Sequence, residues 1–318
     1  MVFLWIGLAL VAVLMAGSLG LAYYCYRQTF FFDRRKDPSP EEFNLPHGTV
    51  YEPYYDIMKE RMRQTRALPH RAYSIKSFDG LTLWGTFYEH NPGDPIELMF
   101  HGYKGSGERD LCSGVQRCFA MGHSAFIVDQ RCSTRSEGHV CTFGINERRD
   151  CHSWVQFLIQ EFGPDVKIIL TGVSMGAATV LMAAADPLPS NVKCILADCG
   201  YTSPGQIIQV VMEREGFPPK LVYPFMKLGA RIFGHFDLEE ISPLEAMAKC
   251  TIPVIFFHGG DDDFVPCEMS QQNYDACKAP KVLSVIPGAG HCLGYMVDSK
   301  GYLETLNKFY DTVPGLRA

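Results

Sequence analysis

The sequence is first constrained by what it lacks. Its 318 residues include twelve cysteines and ten histidines, yet no C-x-x-C pair, no H-E-x-x-H and no zinc-type histidine spacing occurs. This excludes the usual zinc patterns. No Gly-Lys-Ser/Thr is present, and Gly102, Gly105 and Gly107 fall short of a full G-x-G-x-x-G, so neither a P-loop nor a dinucleotide fingerprint is found. No Lys/Arg cluster exists beyond the flank of the N-terminal segment, and the net charge is −6. Nucleic acid is therefore not expected as a partner. No metal and no cofactor are expected. Cys118, Cys194 and Cys250 fall within apolar strand or helix patterns and read as reduced, buried small side chains.

Charge is also missing from Met1 to Tyr26. As a helix rising about 1.5 Å per residue, this run exceeds the roughly 30 Å hydrocarbon layer and reads as a transmembrane anchor. A cleaved signal peptide is the rival reading, but a basic leading region and a clean small-x-small site are absent. Arg27, Arg34, Arg35 and Lys36 follow the run and no Lys or Arg precedes it, which puts the rest of the chain on the cytoplasmic side. Reduced cysteines fit that compartment. Phe30, Phe31 and Phe32 suit either an interfacial anchor or packing against the globular part.

Residues 27–70 read as a linker with one helix near Tyr54–Arg66, and residues 71–318 as one α/β domain, for which 47% hydrophobic content is ample. Arg71 to His90 reads as a hairpin turning at Asp79-Gly80. Apolar runs near Leu98–Phe100, Ala125–Val128, Ile168–Thr171, Cys194–Ala197, Val254–Phe257 and Leu283–Ile286 alternate with helical patterns, giving a mainly parallel sheet. The stretch from Tyr201 to Ile241 is longer than a crossover needs and reads as a small helical cap. Its Ile207, Ile208, Val211, Met212, Phe217, Leu221, Val222, Phe225, Met226, Leu228, Ile232 and Phe233 are candidates for an acyl or aryl pocket. Most of them are assigned to docking the cap, because helical apolar stripes are usually core.

The chemistry-bearing segment is Lys167 to Ala178, an apolar strand turning through Gly172-Val173-Ser174-Met175-Gly176 into a small-residue helix. G-x-S-x-G in that context is a nucleophile elbow, with Ser174 as candidate nucleophile. Two later strands end in candidate partners: Ile252–Gly259 runs into Gly260-Asp261-Asp262-Asp263, and Lys281–Ile286 into Pro287-Gly288-Ala289-Gly290-His291. A serine hydroxyl is a weak nucleophile near neutral pH, so a histidine base oriented by a carboxylate is the chemistry this order suits. Asp198, at another strand end, is the runner-up acid.

The order Ser174, Asp262, His291, each past a strand end, resembles the α/β-hydrolase arrangement, and the resemblance extends from about Arg71 to the C-terminus. Within that superfamily the chain looks like bacterial serine hydrolases of the lysophospholipase and monoglyceride-lipase-like, serine-aminopeptidase-like group. An H-G-x-x-D-x-x-V-P pattern, met by His258, Gly259, Asp262, Val265 and Pro266, selects Asp262 and leaves Asp261 and Asp263 as bystanders. The resemblance further implies an oxyanion hole from the backbone N–H groups of Tyr103, after His101-Gly102, and Met175. His101 itself reads as a loop-orienting residue. One departure is notable: in Asp129 to Gly138, which matches D-x-R-G-x-G-x-S-x-G, Cys132 and Thr134 stand where glycines are expected, and positive φ there would be costly for β-branched Thr134.

The function expected is a membrane-anchored serine hydrolase cleaving small-molecule carboxylic esters with a small to medium acyl group through an acyl-enzyme. An amidase, peptidase or thioesterase using the same triad is the near alternative, and a non-catalytic membrane-tethered binding protein with the same fold the distant one. Deleting residues 1–36 is expected to release a soluble enzyme.

Overall fold

The computed structural model of the protein describes residues 1–32 and 42–317. Arg34, Arg35 and Lys36 of the charge argument lie outside the described residues. The chain opens with α1 (Val2–Thr29), longer at its C-terminal end than the uncharged run. A short 3₁₀ turn leads to α2 (Tyr55–Ala67), one residue from the expected helix. Strands β1 (Arg71–Lys76) and β2 (Thr82–Tyr88) form the hairpin; Gly80 takes a φ of 90° at its turn, a value that suits glycine.

The core alternates from there. It runs β3 (Ile96–Phe100), α3 (Gly107–Asp110), α4 (Gly114–Ala120), β4 (Ser124–Asp129), α5 (Glu147–Phe162), β5 (Ile168–Val173), α6 (Met175–Ala183) and β6 (Val192–Asp198). Then come α7 (Pro204–Arg214), α8 (Pro219–Ile232), α9 (Pro243–Met247), β7 (Val254–Gly259), α10 (Cys267–Ala276), β8 (Lys281–Ile286), α11 (Gly294–Val297) and α12 (Ser299–Thr312). The strands form one eight-stranded sheet in the order β1-β2-β4-β3-β5-β6-β7-β8. β1/β2 and β2/β4 pair antiparallel, and every other pair is parallel.

The central strands read as near-continuous apolar runs because helices cover both faces of a parallel sheet. On one face Trp154, Val155 and Leu158 of α5 and the small side chains of α6 pack against Leu98, Phe126 and Leu170. On the other, Tyr302, Leu306 and Phe309 of α12 cover Ile169, Leu196 and Phe257. Glu97, fully buried on β3, breaks the apolar pattern; Arg117 and His123 pair with it at 2.6 and 3.0 Å, and Thr171 donates to it at 3.0 Å.

The first twenty residues of α1 stand away from the sheet with their apolar side chains exposed, whereas Ala22, Cys25, Tyr26 and Phe30 are buried. The helix docks on α8: a Cβ added to Gly229 would lie 2.4 Å from the Ala22 carbonyl oxygen, so only glycine permits this approach. Beyond the helix the chain is pinned to residues 139–141, where Phe32 N–H donates to the His139 carbonyl at 2.7 Å and Cys141 N–H to that of Phe30 at 2.8 Å. Phe30 packs edge-on against Phe143 and Phe236. Of the two roles open to these phenylalanines, packing against the globular part is the one adopted.

Candidate active site

Ser174 occupies the turn between β5 and α6 with φ 54° and ψ −119°, a region a non-glycine residue enters only when its surroundings force it. They do so here because the strand and helix meet with no room for side chains. A Cβ on Gly172 would sit 2.2 Å from the carbonyl carbon of Gly176, and one on Gly176 would sit 2.1 Å from the Phe100 oxygen. Both glycines of G-x-S-x-G are thus steric necessities.

The loop after β8 brings His291 to this turn, with Nε2 2.9 Å from Ser174 Oγ and Nδ1 2.7 Å from Asp262 Oδ2. Asp262 follows β7, and its other oxygen accepts the N–H groups of Phe264 and Val265, each at 2.9 Å. Burial works against its charge, but hydrogen bonds from His258 and His291 hold the carboxyl well below the ordinary carboxylate range. For His291, burial favours the neutral ring, and the Asp262 hydrogen bond and charge override it, so the imidazole titrates above its ordinary value. Nearby Cys199 raises it further only as a thiolate, and burial keeps that thiol protonated far above neutrality. At working pH Asp262 is the cause that counts.

Asp198 lies elsewhere: its carboxylate accepts from Tyr302 Oη at 2.9 Å and Cys199 Sγ at 3.1 Å, and His291 Nδ1 turns to Asp262 instead. Asp261 and Asp263 are exposed. His258, read only as part of a motif, proves to be a buttress. Its Nε2 lies 3.2 Å from Asp262 Oδ2 and 2.9 Å from the Val265 carbonyl, and its Nδ1 2.7 Å from Ser270 Oγ.

The Gly102 loop presses against the serine, since a Cβ on Gly102 would be 3.4 Å from that of Ser174. Tyr103 and Met175 border the same cavity as Ser174. Met175 is the first residue of α6, where N–H groups have no intrahelical acceptor. The Gly102 N–H is taken by Asp110 Oδ2 at 2.8 Å. His101 is buried with Nδ1 2.9 Å from the Gly102 carbonyl, and its Nε2 accepts from Gln130 N–H at 3.2 Å. Burial depresses its pKa, favouring the neutral ring these contacts use. It fastens two loops together.

Cys132 and Thr134 do take positive φ, 58° and 42°. Their loop is held from several sides: Arg131 pairs with Asp150 at 2.7 Å and Asp79 at 3.0 Å, Arg135 with Asp129 at 2.7 Å, and Ser133 Oγ donates to the Gly105 carbonyl at 3.0 Å. Fixation of this kind lets the non-glycine residues persist in the left-handed region.

Helices α7 and α8 overhang Ser174. Ile207, Ile208, Val211, Met212, Phe217, Val222 and Met226 line the cavity beneath, a larger share of the apolar candidates than the core-stripe argument allots. Besides helix and sheet there is a third surface, α1, whose Tyr24, Cys25, Gln28 and Thr29 complete the wall. Phe233, by contrast, packs on Tyr23 and Tyr26.

Two sets of metal-type donors come together by folding alone, Cys199/His291/Cys292 and Cys199/His258/Asp262, each with its ligand atoms within 4.8 Å of one another. Sequence spacing gives no sign of either. Both borrow groups already engaged in the Ser174–His291–Asp262 chain.

A sequence profile described as "alpha/beta hydrolase fold" matches residues 98–231. An uncharacterized protein of Bacillus subtilis, YqkD, is 26% identical over 194 residues, which cover 61% of this chain and 64% of YqkD. The chain therefore spans just under two thirds of that relative. Among solved structures, the Pyrococcus furiosus esterase Pf2001 superposes with a TM-score of 0.67 at 18% identity, covering 90% of this chain and all of the esterase. A puromycin-hydrolyzing peptidase of Mycobacterium tuberculosis gives 0.61 at 19% identity, covering 79% of this chain and 40% of the peptidase. The chain has the α/β-hydrolase fold.

Proposed function

We propose that this α/β-hydrolase-fold protein is a serine hydrolase of carboxylic esters that works through an acyl-enzyme on Ser174. The observation that carries the reading is the continuous hydrogen-bond chain Ser174 Oγ, His291 Nε2, His291 Nδ1, Asp262 Oδ2, at 2.9 and 2.7 Å. In the proposed reaction His291 takes the Ser174 proton as Oγ bonds to the ester carbonyl carbon, and Asp262 stabilises the imidazolium without accepting the proton. The carbonyl oxygen gains its charge between the N–H groups of Tyr103 and Met175. Collapse breaks the bond to the alcohol, which leaves with the proton from His291. Water, deprotonated by the same histidine, then releases the acid and restores Ser174.

Esters are preferred because one of the cavities at Ser174 is bordered almost wholly by apolar side chains, with Glu215 its one charged border residue among the described residues, and so suits a hydrocarbon acyl group. The N-terminal helix acts in this reading as a retained membrane anchor with the hydrolase on the cytoplasmic side. Support comes from its length, its apolar composition and the burial of Ala22, Tyr26 and Phe30 in the rest of the protein, which a cleavable leader does not need. Purified full-length protein assayed on p-nitrophenyl acetate, butyrate and octanoate tests the reading. Turnover that Ser174→Ala abolishes supports it; turnover that survives the substitution, or its absence on every ester, contradicts it.

A further inference from the structure

Two cavities meet at Ser174, and they differ in character. One, about 370 Å³, has the apolar cap helices on one side and the last two turns of α1 on the other. The second, about 400 Å³, also touches His291 and carries Arg109, Asp110, Arg214 and Asp263. An ester whose carbonyl sits at Ser174 can put a hydrocarbon acyl chain into the first and a polar alcohol portion into the second.

The apolar wall has an unusual origin. Tyr24, Cys25, Gln28 and Thr29 belong to the same continuous helix as the exposed apolar residues up to Leu21. The pocket therefore begins where the span-length segment ends, within a turn of Tyr24. Contacts hold the wall in place from both sides of the serine: Thr29 Oγ1 donates to Met226 Sδ of α8 at 3.4 Å, Tyr103 Oη donates to the Thr29 carbonyl at 2.8 Å, and Lys104 Nζ to that of Gln28 at 3.3 Å. Phe217 and Leu221 of the cap are exposed, extending the apolar surface outward.

We propose that the last two turns of α1 form one wall of the acyl site, so that the helix sets acyl-chain selectivity, and that the chain it selects is a long one delivered from the bilayer in which α1 sits. The proposal rests on the serine-hydrolase reading above. A hydrocarbon chain passing along α1 moves from lipid to an apolar cavity without exposure to water, which removes the penalty a soluble enzyme must overcome to extract it. The alternative, in which α1 touches the pocket only to fasten the domain to the membrane, predicts no dependence of chain-length preference on residues of α1.

The test uses the full chain reconstituted in phosphatidylcholine vesicles, with 4-methylumbelliferyl acetate, octanoate and palmitate as substrates. The palmitate is supplied either in the protein's own vesicles or in separate protein-free ones. Wild type is expected to favour palmitate over acetate at least ~10-fold in kcat/KM when the ester shares its bilayer, and to lose most of that rate when it does not. Gln28→Trp, at an exposed position on the rim, is expected to lower the palmitate-to-acetate ratio by ~10-fold or more, as is Val211→Trp on the cap wall. An unchanged ratio in Gln28→Trp, with thermal unfolding like wild type, overturns the role of α1, even where Val211→Trp shifts it. Should Gln28→Trp unfold, Tyr24→Trp, also exposed, is read in its place by the same criterion. Equal rates from shared and separate vesicles overturn delivery through the bilayer. Failure of a fluorophosphonate to label Ser174 in wild type would instead remove the underlying hydrolase reading, an outcome separate from all of these.

Discussion

The phenolic hydroxyl of Tyr103 donates to the carbonyl oxygen of Thr29 across 2.8 Å, so the loop beside Ser174 closes the last turn of α1. The last carbonyls of a helix lack intrahelical donors and need partners from outside. Here the partner is the residue whose backbone N–H is assigned to the oxyanion. Tyr103→Phe removes this tie while keeping the ring contacts with Phe32 and Phe143. It is expected to cost about 1 kcal/mol in stability and to lower kcat several-fold with little change in KM, read by thermal unfolding and steady-state kinetics.

Truncation separates the exposed from the docked part of α1. Removing residues 1–21 is expected to leave a soluble, active protein, because Ala22, Cys25, Tyr26 and Phe30 stay in place. Removing residues 1–36, the cut the sequence suggests, strips buried apolar side chains from the cap and from Phe143 and Phe236. That product is expected to aggregate or to label far more slowly with a fluorophosphonate, as judged by gel filtration and labelling rate.

The pH profile distinguishes Asp262 from Asp198. His291 must be neutral to accept the Ser174 proton, and Asp262 raises its pKa, so the acid limb of kcat/KM should fall above the ordinary histidine value of about 6.5. Asp262→Asn removes the stabilised imidazolium. It is expected to move that limb to lower pH and to cut kcat by about 10⁴. Asp198→Asn should leave the limb where it is, since that carboxylate is occupied by Tyr302 and Cys199.

Glu97 anchors the sheet beneath the site. Burial opposes its ionisation, but Arg117 and His123 hold its carboxyl well below the ordinary range. A folded pKa depressed in this way stabilises the protein above the unfolded carboxyl value of about 4.3, and the contribution disappears as pH falls through the folded value. Glu97→Gln leaves Arg117 buried without its counter-charge and should destabilise by about 3–5 kcal/mol in chemical denaturation at pH 7.

Which features were legible in the sequence follows from how local their causes are. The elbow is legible because Gly172 is required by a contact with Gly176 four residues on, although Gly176 itself answers to Phe100 on β3, and the strands because a covered parallel sheet leaves unbroken apolar runs. Asp262 could be singled out from its neighbours by a short motif, but the reason for its fitness, the His258–Ser270 buttress, depends on a helix packed behind the strand. The docking of α1 was not legible. The uncharged run carries no periodicity to mark which of its residues meet the rest of the protein, so Ala22 and Cys25 do not differ in pattern from the residues before them. Cys199 and Cys292 likewise meet only through folding, Cys292 N–H lying 3.3 Å from Cys199 Sγ.

The central claim is that Ser174 is the acylated nucleophile, and the most direct measurement is mass spectrometry of peptides from full-length protein treated with a fluorophosphonate. The account predicts a single phosphonylated peptide with the adduct on Ser174, absent in Ser174→Ala and strongly reduced in a His291→Ala variant that remains folded. An adduct on another residue, or unchanged labelling in Ser174→Ala, would contradict it.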